Sequence, residues 1–122
     1  MFRIKFYKDK NGFAPIAEYI KELRKKSISS KSEKVRLKKI TEYLERLTHY
    51  GTKVGEPYVK HIDGKIYELR PTNDRIFFFA IENNTFVMLH HFVKKSSKTP
   101  KREIEQAKRN LADFIKRRPE DE

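Results

Sequence analysis

The chain has 122 residues, one domain's worth, with room for a single modest core. Hydrophobic residues make up 37% and charged residues 38%, and 9 Phe with 6 Tyr argue against a disordered chain. There is no Cys and the net charge is +12, which excludes disulfide and thiol chemistry, suits a reducing cytoplasm, and favours a polyanionic partner such as nucleic acid or an acidic protein.

Phe2-Arg3-Ile4-Lys5-Phe6 alternates at period 2 and reads as a strand, with none of the apolar stretch of a signal peptide. No apolar run reaches the roughly 18 residues of a membrane span. Asp9 to Gly12 ends the strand, and Ile16, Tyr19, Ile20 and Leu23 then recur at helical spacing behind Pro15, a residue suited to a first helical turn. Residues 27–32 are a polar break whose serines suit a helix cap. Leu37, Ile40, Leu44 and Leu47 form the apolar stripe of a longer second helix, and Gly51 suits its stop. Lys31, Lys34, Arg36, Lys38 and Lys39 load its first half with positive charge, the pattern of a solvated face.

Past a loop with Gly55 and Pro57, three strands are expected at residues 66–70, 75–81 and 85–93. Asn83-Asn84 supplies a two-residue hairpin turn, because Asn tolerates positive φ. Ile76 to Ile81 is apolar on both parities and reads as a central strand covered on both faces. Thr99-Pro100 reads as a cap and first-turn proline, and Ile104, Ala107, Leu111 and Phe114 carry the last helix. Residues 1–118 form one domain and 119–122 an acidic, frayed tail. The expected fold is α+β, in the order β-α-α-β-β-β-α, with helices packed on an antiparallel sheet.

The two turns set a register. A four-residue loop from Pro71 to Asp74 puts Arg70 opposite Arg75 and Glu68 opposite Phe77; the Asn turn puts Arg75 opposite Phe92 and Phe77 opposite His90. One face then carries Glu68, Arg70, Arg75, Phe77, His90, Phe92 and Lys94, and the other Tyr67, Leu69, Ile76, Phe78, Leu89, His91 and Val93. A bulge would exchange the sets. Facing arginines repel. Glu68 offsets part of that repulsion as an ion pair, and the remaining charge, beside aromatics, suits RNA: guanidinium forks match phosphates and rings stack on bases. His91, among apolar neighbours, reads as a core histidine. The four histidines make no metal site, since adjacent strand residues face opposite ways and no spaced carboxylates or Cys join them. No phosphate-binding glycine loop is present.

The run from Glu56 to Phe114 also resembles the RelE/HigB superfamily of bacterial toxins, within it the phage-derived killer-protein-like HigB branch. The matching elements are Glu68-Leu69-Arg70, Arg75-Ile76, Leu89-His90-His91-Phe92, Lys94-Lys95 and Thr99-Pro100. The resemblance implies a RelE-like fold and a ribosome-dependent mRNA endonuclease, the toxin of a type II toxin–antitoxin pair, acting without metal or other cofactor by 2′-OH attack on the scissile phosphate. On this implication Arg70 and Arg75 clamp the phosphate, and Glu68 is the base or orients the arginines. Lys94 neutralises charge or assists the leaving group, and His90 is a reserve acid–base group. Phe92 stacks a base, and Lys95, Lys98 and Lys60 hold flanking RNA. The implied partners are the ribosome, mRNA and a helix-turn-helix, HigA-like antitoxin through which the toxin oligomerises. Better-known RelE toxins use a C-terminal tyrosine; no Tyr follows Val93 here, and that role is unfilled. The alternative is a noncatalytic basic module that binds RNA or a partner protein.

Overall fold

The computed structural model describes residues 1–118, so the acidic tail at 119–122 lies outside the described residues. Strand β1 (Arg3–Phe6) leads to helices α1 (Pro15–Lys26) and α2 (Lys31–Tyr50) and a 3₁₀ turn (Gly51–Val54). Strands β2 (Val59–Asp63), β3 (Ile66–Leu69), β4 (Asp74–Ile81) and β5 (Thr85–Val93) follow, then helix α3 (Lys101–Arg117). The helix boundaries have local causes. Pro15 opens α1, where its missing N–H is not needed. The Ser30 hydroxyl caps α2 by accepting from the Glu33 N–H at 3.4 Å. Gly51 stops α2 at φ 62°, and a Cβ there would stand 2.7 Å from the Phe2 ring. Helix α3 starts one residue later than the sequence suggests, with Pro100 as its cap residue and no side-chain cap.

The α+β class holds, with two differences from expectation. The sheet has five strands in the order β1-β5-β4-β3-β2, and β1 runs parallel to β5, so the sheet is mixed. The extra strand β2 is a polar edge strand, mostly exposed apart from Val59 and Ile62, which is why its pattern carries little hydrophobic signal. The β3–β4 register is as expected, with Glu68 opposite Phe77. The β4–β5 hairpin instead turns through three residues, Glu82 to Asn84, with Ile81 opposite Thr85, where a two-residue Asn83-Asn84 loop would put Ile81 opposite Phe86. Asn83 and Asn84 take φ of 63° and 52°. A bulge between Phe77 and Phe78 takes up that one-residue offset, because Phe78 pairs with Met88 while Phe77 pairs with His90 and Arg75 with Phe92, the two pairs expected. Leu89 is the additional residue and turns to the face of Phe77, against its expected side.

Helices α1 and α2 cover one face, enclosing Ile16, Leu23, Ile40, Leu47, Leu69, Ile76 and Phe78. Helix α3 covers the other, enclosing Phe77, Phe79, Leu89, Phe92, Ala107 and Phe114. Strand β4 is buried on both faces from Asp74 to Phe79, as its doubly apolar pattern implies. The aromatics expected at an exposed face are instead core: Phe77 is fully buried and Phe92 is 7% exposed. Each such ring contributes about 1.5–3 kcal/mol by leaving water, which fixes α3 on this face and leaves the end of the sheet for charged groups.

Candidate anion-binding site

The charged groups gather at the end of the sheet where β3 stops and β4 starts. Across the strands, Lys60 on β2 pairs with Glu68 on β3, which pairs with Phe77 on β4. Glu68 is buried to 1% exposure, and both arginines lean on it. Its Oε1 lies 3.4 Å from Arg70 Nε and 3.9 Å from Arg75 Nε. These contacts are Coulombic rather than hydrogen-bonded: Glu68 Oε2, Arg70 Nε and Arg75 Nε are buried with no hydrogen-bond partner among the described residues. Arg70 reaches the surface and also approaches Glu56 Oε1 at 3.4 Å, while its backbone N–H donates to the Tyr58 carbonyl at 3.0 Å.

Arg75 is more enclosed than the projection suggests. It is 8% exposed and donates through Nη1 to the carbonyls of Thr72 and, at 3.1 Å, Asp74. Thr72 sits at φ 50°, the one left-handed residue of the tight turn between the arginines. Beyond Arg75 an open cleft of about 670 Å³ is lined by Asn73, Val93, Lys94, Lys95, Ser96 and Ser97. Lys94 is tied in by its N–H, which donates to the Asn73 carbonyl at 2.8 Å. Burial raises the Glu68 carboxyl above its usual range, against the opposing pull of Arg75, Arg70, Lys94 and Lys60. Burial likewise lowers the Arg75 guanidinium, against Glu68. The site is thus a poorly solvated cluster with four cations around one carboxylate. An anion arriving there meets guanidinium groups that water serves badly, and its attraction is correspondingly stronger.

On the other side of β4 a second buried carboxylate organises the scaffold. Asp74, 1% exposed, accepts from Tyr19 Oη at 2.8 Å, from Arg36 Nη2 at 2.8 Å and Nε at 3.2 Å, and from His91 Nε2 at 2.9 Å. Tyr19 stacks on His91 with ring centroids 3.8 Å apart and also accepts from Arg36 Nη2. Burial would raise the Asp74 carboxyl, but the hydrogen bonds from His91, Arg36 and Tyr19 prevail and hold it well below the usual carboxylate range. One side chain thereby ties α1, α2 and β5 to the residue before Arg75. His91 is the core histidine that the sequence suggests. The Asp74 hub is not legible there, because its partners stand 55, 38 and 17 residues away.

The structure therefore brings Lys60, Glu68, Arg70, Arg75 and Lys94 together, with Lys95 on the cleft. Lys98 is exposed and is not among the cleft-lining residues. His90 stands apart from the arginines: it is two strands from Glu68 in the same row, roughly 10 Å, and is held by Glu103 Oε1 of α3 at 2.7 Å. Phe92 packs at a tilt of 48° against Phe77 and nearly parallel to His90, with centroids 5.3 and 6.3 Å away, so it supports the site from beneath and is not an open stacking platform. His90 and His91 point to opposite faces, towards Glu103 and Asp74 respectively.

Fold and site together define a small basic α+β domain that concentrates guanidinium and ammonium groups at one end of its sheet, the chemistry of an anion-binding surface. The family described as Phage derived protein Gp49-like (DUF891) matches residues 26–112. The chain belongs to this family, which is associated with RelE/HigB-like toxins. The matched stretch contains Lys60, Glu68, Arg70, Arg75, His90, Phe92, Lys94, Lys95 and Lys98. No curated protein matches the chain.

Proposed function

We propose that the protein is the toxin of a type II toxin–antitoxin pair, of the HigB kind, and that it cuts mRNA on the ribosome. The observation that carries this reading is the pair Arg70 and Arg75 sharing one buried carboxylate at the mouth of a lysine-lined cleft, in a family associated with such toxins. In the reaction the 2′-hydroxyl gives up its proton to solvent water as its oxygen bonds to the adjacent phosphorus, the bond to the 5′-oxygen breaks, and charge accumulates on the phosphoryl oxygens. Fixed cations aimed at that charge supply the main stabilisation. Arg70 and Arg75 hold the phosphate. Lys94 neutralises charge on the cleft side and stands to protonate the leaving oxygen. Glu68 lies under the arginines at 1% exposure, which suits orienting them and does not suit reaching a 2′-OH. Lys60 and Lys95 extend the cationic rim, Lys98 stands to meet flanking phosphates, and His90 with Glu103 forms a separate acid–base pair at the start of α3.

One observation favours the alternative of a noncatalytic RNA- or partner-binding module: Glu68 is buried and His90 is distant, so neither of the acid–base groups that the resemblance implies reaches a 2′-OH at the clamp, and the exposed carboxylate there, Glu56, is paired with Arg70 at 3.4 Å. The two readings separate in one experiment. Purified protein is mixed with translating ribosomes and a defined mRNA, and products are read for 2′,3′-cyclic phosphate and 5′-hydroxyl ends. Cleavage with those ends is expected; salt-sensitive RNA binding with intact mRNA establishes the module instead. The proposed neutralising partner is a helix-turn-helix antitoxin, whose co-expression restores growth.

A further inference from the structure

We infer that the α1–α2 hairpin is a second RNA surface, one that docks on the phosphate backbone of base-paired RNA. Between residues 21 and 39, the tip half of the hairpin, the chain carries nine cations and only two carboxylates, Glu22 and Glu33, so more than half of its +12 net charge lies in this one stretch. Both carboxylates are already engaged, Glu22 with Lys25 at 3.6 Å and Glu33 with Arg36 at 3.3 Å. Lys39 pairs with Glu42 at 3.7 Å. Lys21, Arg24, Lys26, Lys31, Lys34 and Lys38 are exposed and make no ion pair among the described residues.

The placement is unfavourable for the isolated protein. Lys31 and Lys34 stand in the first turn of α2, where the helix dipole disfavours positive charge. Lys34 and Lys38 are one turn apart on one face and repel. No described contact compensates, so the charge is arranged for something outside the chain. The ligand class follows from what the hairpin lacks. It has no aromatic residue between 21 and 39, and single-stranded RNA is held chiefly by stacking on such rings. Its exposed large apolar residues are Ile28 at its tip and Val35, too few for the apolar centre of a protein interface. What remains is a rigid array of ammonium groups, suited to regularly spaced phosphates of a duplex read without regard to sequence.

The hairpin is separate from the arginine site but registered to it. Arg36 turns inward to Asp74, the residue before Arg75, so the start of α2 backs the same end of the sheet. Lys34 and Lys38, two positions to either side, lie about 200° round the helix from Arg36 and face outward. A structured RNA held on the hairpin would thus lie close behind the proposed cleavage site. This deepens the proposed function by assigning a separate docking surface, but the binding itself stands on the charge arrangement alone.

The test is a triple variant, Lys31→Gln, Lys34→Gln and Lys38→Gln, which keeps helix-forming residues in place. Affinity for a short labelled RNA duplex is measured over a salt series, with Arg75→Ala as a parallel protein and single-stranded RNA as a parallel ligand. The expected result is a loss of at least about tenfold in duplex affinity at low salt and a log–log salt slope shallower by about 2–3. The thermal midpoint should be unchanged or higher, and Arg75→Ala should lose much less duplex affinity than the triple variant. Unchanged duplex binding by the triple variant overturns the inference, as does a loss confined to single-stranded RNA. If wild-type protein binds duplex as described but never cleaves mRNA, the proposed function fails and this surface stands.

Discussion

Changing Asp74 to Asn keeps the side chain's shape and removes its charge from the most connected polar position in the scaffold. Tyr19, His91 and both Arg36 nitrogens now donate to a carboxylate; an amide leaves Arg36 without its counter-ion and turns an N–H₂ group towards donors. Hydrogen bonds to a buried charge contribute about 1.5–3 kcal/mol each, and losing one member of a buried pair costs about 3–5 kcal/mol. The Arg36 side chain is 31% exposed and regains water, so the lower end applies, roughly 3 kcal/mol. For a chain of this size that is a fall of about 10 °C or more in thermal midpoint, measurable by circular dichroism with a parallel urea titration. The pH dependence has a definite sign. Asp74 titrates lower in the folded chain than unfolded, so its contribution is present above about pH 4 and is lost as pH falls from there towards the folded value. Asp74→Asn should therefore differ most from wild type near neutral pH and converge with it in acid. A loss under about 1 kcal/mol, or a difference that does not shrink in acid, would refute the hub.

Glu68→Gln should behave oppositely in stability: the folded carboxyl titrates higher than the unfolded one, so ionising it opposes folding as pH rises from about 4.5. The variant should be destabilised by no more than about 1 kcal/mol at pH 7 in urea titrations, while growth arrest weakens because the arginines lose their shared anchor. Gly51→Ala should cost about 2 kcal/mol or more, read as a lower urea midpoint, because it combines φ 62° with a Cβ only 2.7 Å from the Phe2 ring.

Short-range chemistry explains why much of this was legible in the sequence. The Pro71–Asp74 loop sets β3 against β4, which puts Glu68 and Arg75 on one face as read from the sequence. The Asn83-Asn84 turn is one residue longer than its sequence suggests, and the pairing of Arg75 with Phe92 comes out as expected because the bulge offsets that extra residue. What stayed hidden is long-range. Leu89 changes face through a bulge that only strand pairing reveals, and β2 alternates too weakly to announce itself. Phe92 and Phe77 project from the same face as the arginines, but only the docking of α3 decides that the rings are core and the charges are not. Arg75, which the projection leaves outward, is instead held in by the carbonyls of its own turn, Thr72 and Asp74, and by Glu68. Asp74 reads as a turn residue until three distant elements converge on it.

The central claim is that a phosphate held by the facing arginines is the scissile one. Arg70 is the better probe, since it is the more exposed of the two and its removal spares the enclosed Arg75. The decisive measurement is a transcriptome-wide map of mRNA 5′ ends in cells expressing wild-type protein or Arg70→Ala, with folding of the variant checked by its thermal midpoint. The account predicts new ends in coding sequences with wild type, and their loss with a folded variant that no longer arrests growth. New ends that persist undiminished with folded Arg70→Ala would contradict it.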